Sequence, residues 1–119
     1  MSGKFITIRG EVVLPPEALK SPDGDLLIQI EDVSRADAPS VVIGEQRQVR
    51  VRLHEGATIP FAVQVPAPMI EKDHSYSVRA HVDLSGSGEV ESGDLVSTQS
   101  YPVLTGGYSN MARVKVKRV

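Results

Sequence analysis

The chain has no cysteine and no tryptophan, and only two Phe and three Tyr among its 119 residues. The missing cysteine excludes disulfides, thiolate metal sites, a cysteine nucleophile and lipid attachment through a cysteine of this chain. With so few aromatics, the core has to be built from Val, Ile and Leu, and the β-branched members of that set favour strands. A large charge imbalance is also missing. A formal net charge of −2 gives no general pull toward nucleic acid or an anionic membrane surface. No apolar run reaches membrane-spanning length, and no signal-peptide core follows Met1. On that basis the chain as it stands is expected to be cytoplasmic without a direct membrane anchor, or periplasmic or outer-membrane-associated if a targeting segment has been removed. No segment sustains a helical period.

What is present is alternation. Hydrophobic residues make up 40%, enough for a globular core, and the length fits one domain over residues 1–119. In the first strand-like segment Ile6, Ile8, Gly10, Val12 and Leu14 share one face, against Thr7, Arg9 and Glu11. Pro15-Pro16 stops it, because proline offers no ladder N–H. Residues 17–20 could form one helical turn, and Ser21-Pro22-Asp23-Gly24 is a turn signal. Residues 25–34 follow with Leu26, Ile28 and Ile30 inward. Residues 41–53 read as a strand bent near Gly44, with Val49, Val51 and Leu53 inward. Residues 57–65 place Ile59, Phe61, Val63 and Val65 inward, and a short helical turn is expected near Met69-Ile70. Tyr76, Val78, Ala80, Val82 and Leu84 share the next strand face. The Gly/Ser-rich residues 85–93 are expected to be the most mobile loop. Residues 94–104 and 111–119 complete the set. Seven to eight short strands predict an all-β fold, an antiparallel β-sandwich or flattened barrel. Ile8, Ile28, Val51, Phe61, Val78 and Val114 are expected in the core.

No constellation of residues makes a catalytic site. His54, His74 and His81 lack the i, i+4 spacing of a helical metal motif. Asp23-Gly24-Asp25 is explained by turn chemistry, since Leu26-Leu27-Ile28 supply none of the later oxygen ligands of a calcium loop. No Gly-x-Ser-x-Gly elbow is present. Arg47, Arg50 and Arg52, with Lys115, Lys117 and Arg118, form basic stripes without interleaved aromatics to stack bases. No cofactor, metal or nucleic-acid partner is therefore expected.

Several stretches taken together resemble a known family. They are Leu14-Pro15-Pro16-Glu17-Ala18, the run Ile30-Glu31-Asp32-Val33-Ser34-Arg35-Ala36-Asp37-Ala38-Pro39-Ser40, Ile59-Pro60-Phe61, Tyr76-Ser77-Val78-Arg79-Ala80, and Tyr101-Pro102-Val103-Leu104-Thr105-Gly106-Gly107. Their order is similar to that of the YbaY/YscW-type small lipoproteins, which include the lipoprotein chaperones, or pilotins, of type III secretion. The likeness runs from about Ile6 to Val119. It implies a β-sandwich without enzyme activity. In the secretion branch it implies help to an outer-membrane secretin during assembly. The family's signal peptide and lipobox cysteine do not occur in this sequence.

Local chemistry also explains these motifs: Asp32 and Ser34 can bond nearby amides, and Gly106 and Gly107 permit positive φ. The functional expectation is a non-enzymatic binding or assembly module that takes a protein segment, such as a secretin tail, at a sheet edge or groove. The candidate partner-binding residues are Pro60 and Phe61 on one edge, and Lys115 and Lys117 on the other. The alternatives are a structural or accessory domain with no dedicated ligand and, last, a hydrolase with an unrecognised site.

Overall fold

A computed structural model describes residues 4–17, 19, 21–35 and 37–119. Its strands are β1 (Phe5–Val13), β2 (Asp23–Asp32), β3 (Val41–Arg52), β4 (Thr58–Pro66), β5 (Tyr76–Asp83), β6 (Leu95–Ser97), β7 (Pro102–Val103) and β8 (Met111–Arg118), with a 3₁₀ turn at Ala67–Met69. They pair in the order β3-β2-β5-β6-β8-β1-β4, and β7 adds to β5. The sheet folds over on itself. β3, β2, β5 and β6 form one layer, β4 and β1 the other, and β8 belongs to both. The fold is therefore the expected sandwich or flattened barrel. One pair departs from the antiparallel rule: β8 runs parallel to β1.

The period-2 faces explain the core. Ile8 and Val12 of β1, Leu26, Ile28 and Ile30 of β2, Ile59, Phe61, Val63 and Val65 of β4, Tyr76, Val78, Ala80 and Val82 of β5, and Val114 and Val116 of β8 are all buried. β2 and β4 hide alternate residues because successive side chains leave opposite faces, whereas β5 is buried on both faces except at Arg79.

β3 differs from its sequence reading. Val49, expected inward, is 71% exposed, and Val51 is only half-buried. The cause is a bulge: the β2–β3 register moves from Gly24↔Val51 to Leu26↔Gln48, leaving two residues opposite Asp25. Arg50 takes the left-handed conformation there (φ 51°) and donates its N–H to Asp25 Oδ1 at 3.0 Å. The extra residue turns Val49 outward. A second register shift lies beside Gly44, where the bend was expected.

The single strand expected over residues 94–104 is split into β6 and β7. Between them side chains replace the ladder: Ala80 donates its N–H to Ser97 Oγ (3.0 Å), and Tyr101 donates to Ser77 Oγ (3.0 Å). The short helical turn near Met69 is present as 3₁₀. The turn expected at residues 17–20 includes Ala18 and Lys20, which lie outside the described residues, as does Ala36 of the β2–β3 connection.

Candidate functional site

Lys115 and Lys117 lie on the exposed face of β8. β8 is not a free edge along its length, because it sits between β6 and β1. Its two neighbours are staggered, however. β1 pairs as far as Val13↔Lys115, whereas β6 pairs only from Ser97↔Val116 to Leu95↔Arg118. Arg9 donates its N–H to Asn110 O, and Val119 donates to Asp94 O. Backbone groups alternate in direction along a strand. The even-numbered residues of β8 thus turn toward β1 and the odd-numbered ones toward β6. The last rung, Val13↔Lys115, takes the Val116 N–H, so the Val116 carbonyl and the backbone groups of Arg118 are what turn toward β1 beyond its end.

The chain that would have continued the pairing veers away. Leu14 donates its N–H to Ala57 O, and Pro15 O accepts from Gly56 N–H. Pro15 and Pro16 have no N–H to give. What remains is an open notch of about 690 Å³, walled by Val13, Leu14, Pro15, Pro16 and Glu17 on one side and Lys115 to Arg118 on the other. The wall is apolar at its prolines and cationic along β8.

Pro60 and Phe61 lie in β4, at the end of the strand order. Phe61 is buried, with 4% exposure, so its ring is core and not a contact surface. The outer edge of β4 is also occupied. Ala62 donates its N–H to Gln46 Oε1 at 3.0 Å, while Gln48 Nε2 donates to Pro60 O at 2.9 Å and to Gln46 Oε1 at 3.2 Å. Sequence reading missed these glutamines, which are polar residues on a strand with no local motif to mark them.

The Asp-Val-Ser and Tyr-Pro-Val-Leu-Thr-Gly-Gly stretches meet at one place. His74 Nδ1 is 2.7 Å from Asp32 Oδ2, and its Nε2 is 3.1 Å from Glu71 Oε2. Ser34 donates both its Oγ–H (2.6 Å) and its N–H (3.0 Å) to Asp32 Oδ1. Thr105 Oγ1 donates to His74 O. Gly106 and Gly107 take positive φ, as does Leu104 at 76°. The Asp32 hydrogen bond holds the His74 imidazole above its usual pKa; partial desolvation opposes this, and Glu71 and Asp73 add to it. Desolvation would raise Asp32, but its bonds from Ser34 and His74 outweigh that and hold it low. Ser, His and Asp are thus adjacent without being wired for nucleophilic attack. Ser34 spends its proton on the carboxylate, and neither ring nitrogen faces its hydroxyl.

His81, expected on a polar strand face, is buried with Asp83 and Asp94, and one ligand atom from each lies within 4.8 Å of the others. Their oxygens already have partners. Asp94 takes His81 Nε2 (2.9 Å) and the N–H groups of Leu84 and Glu91. Asp83 takes the N–H groups of Ser85, Gly86 and Gly88. Burial opposes ionisation of both carboxyls, yet these donors prevail and lower both pKa values. Oriented amides supply the positive potential that a cation would bring. The Gly/Ser-rich segment expected to be most mobile is wound around Asp83.

Comparison with known proteins adds two findings. The model of the family described as type III secretion system lipoprotein chaperone (YscW) matches residues 4–116. Among solved structures, an alternative pilotin from the type II secretion system of Vibrio cholerae superposes with a TM-score of 0.76 at 24% identity, covering 98% of each chain. No curated protein matches the chain.

Proposed function

The chain belongs to the YscW family of type III secretion system lipoprotein chaperones, and from that premise we propose that it binds an extended segment of a secretion-system client in the notch beside β8. The observation that carries this reading is the strand edge from the Val116 carbonyl to Arg118, which has no ladder partner among the described residues where Pro15 and Pro16 succeed β1. A client strand can bond these backbone groups by β-addition, while Lys115, Lys117 and Arg118 favour an acidic sequence. The client we favour is the tail of an outer-membrane secretin. The mode of action is contact, without catalysis.

The test is an amide-shift titration with a secretin C-terminal tail peptide. Shifts are expected at Leu14 and at residues 116–118, with weaker binding in Lys117→Glu and at raised salt. Unmoved amides along the notch at millimolar peptide would remove this reading and leave a structural or accessory domain.

A further inference from the structure

On the face of β2 and β5 turned away from the core, Leu27 lies opposite His81, and Asp25 lies opposite Asp83. Directly opposed residues point to the same side of a sheet. Two carboxylates therefore face each other across the strand pair, an arrangement that is destabilising when no positive charge lies between them. β3 adds Arg47, opposite Leu27, and Val49, which the bulge turns outward. Residues 86–88, wound around Asp83, form the facing wall. The result is a cavity of about 240 Å³ with Asp25, Leu27, Val49, His81 and Asp83 in its lining and Arg47 at its rim.

The polar groups of this cavity are acceptors short of donors. Asp25 Oδ1 accepts the Arg50 N–H, but Oδ2 has no hydrogen-bond partner among the described residues. Asp83 Oδ2 accepts only the Gly88 N–H, one bond for two lone pairs. His81 is 8% exposed. Its Nε2 meets Asp94 Oδ2, and its Nδ1 has no partner among the described residues. Asp94, with its lowered pKa, can only accept, so the proton of that bond sits on Nε2. In the neutral ring Nδ1 is then a bare lone pair. No fully buried side-chain nitrogen or oxygen lacks a partner among the described residues. Nδ1 is therefore accessible, and the space the ring lines is this cavity.

We propose that this cavity binds a primary ammonium group carried on an alkyl stem. Asp25 Oδ2, Asp83 Oδ2 and His81 Nδ1 offer three acceptors for the three donors of an ammonium. A ring nitrogen of His81 and a carboxylate oxygen of Asp83 lie within 4.8 Å of each other, a span that one donor nitrogen bridges at ordinary hydrogen-bond lengths. Positive charge at this point relieves the opposition of Asp25 and Asp83. Leu27 and Val49 supply apolar surface for the methylenes, as lysine stems commonly find beside their charged heads. A bare metal ion would leave those two side chains without a role, and an anion would meet two carboxylates. Among the lining residues Arg47 alone opposes a cation, and its Nε is 3.5 Å from Glu45 Oε2 on the exposed side. The ammonium has two sources, a lysine side chain of a bound protein segment and a free alkylamine. The cavity shares no residue with the notch beside β8 and does not depend on client binding there.

The experiment is an NMR titration of the full chain that follows backbone amides and the ring nitrogens of His81. The probes, added separately, are n-butylammonium, N-acetyl-lysine methylamide, n-butanol, acetate and zinc(II). Both ammonium probes are expected to give saturable shifts at Leu27, Val49 and Gly88, and to move His81 Nδ1, which should start as the unprotonated nitrogen. Tighter binding of the lysine amide would identify a protein side chain as the source, and equal binding a free amine; either supports the proposal. Asp25→Asn keeps an oxygen for the Arg50 N–H and should weaken ammonium binding by about tenfold, through loss of a charge-assisted bond. Arg47→Ala, at an exposed position, should tighten it. Ammonium probes that give no saturable shift at millimolar concentration, butanol or acetate binding as tightly as the amine, zinc filling the site in its place, or affinity indifferent to both substitutions would each overturn the proposal.

Discussion

Single side chains decide two properties of this domain. Phe61 is one of only two phenylalanines, and its ring is buried in a core whose other large members are aliphatic apart from Tyr76. Phe61→Ala is expected to cost about 3–5 kcal/mol in urea unfolding. A loss below about 1 kcal/mol would mean that the ring adds little to the core. His74 sets a pH dependence. Its pKa is raised in the folded state by Asp32, with Glu71 and Asp73 assisting. Its contribution is therefore fully present below the unfolded value of 6.5 and is lost as pH rises through the folded value. Asp32 is lowered, so its contribution is present above 3.8 and is lost as pH falls through its folded value. The clasp is complete between these limits. His74→Asn should lower the urea midpoint more at pH 5 than at pH 8.5, and the His74 ring should titrate above 6.5. An equal loss at both pH values would show that the imidazolium does not hold the clasp.

Elements show what sequence could and could not reveal. Alternation identified the inward faces of β1, β2, β4, β5 and β8, because period 2 records which face meets the core. It carries no information about neighbours. The parallel partnership of β8 with β1, and hence the notch beside Lys115 and Lys117, depends on residues about 100 positions apart in sequence. Alternation also fails where a bulge adds a residue, which is why Val49 was misplaced. β5 fails differently: Ser77, His81 and Asp83 look solvent-facing but are buried, because the segment after β5 returns to cover and bond them. The Asp83 turn is the test of that covering. Asp83→Asn replaces one acceptor oxygen with a donor facing backbone N–H groups, and a buried donor left unsatisfied costs about 1–3 kcal/mol. Exchange at Gly86 and Gly88 should accelerate markedly, with little change in β1 and β4. Unchanged loop exchange would mean that the carboxylate is not what winds the segment.

At the scale of the whole molecule, the two layers are joined by very different means at their two margins. On one side β3 and β4 meet without a ladder, through two glutamine side chains and the close approach of Gly44 to Gln64. On the other, β8 is a continuous strand that pairs with β1 of one layer and β6 of the other. The backbone link through β8 is therefore what makes the layers one cooperative unit. Gly10 is the point that permits it. A Cβ there would sit 1.8 Å from Ala112 O and 2.8 Å from the Phe61 ring. Neither a strand carbonyl nor a core ring can yield that distance, so β1 and β8 approach this closely only because residue 10 has no side chain. Gly10→Ala should cost more than the roughly 1–3 kcal/mol usual for core overpacking, since backbone has to move. The loss should also be global. Protection against hydrogen exchange in the variant should fall by the same free energy in β1 and in β5, although β5 forms no ladder with β1 or β8. Loss confined to β1 and β4, with β5 protection intact, would show that the layers fold separately and that β8 only ties them afterwards.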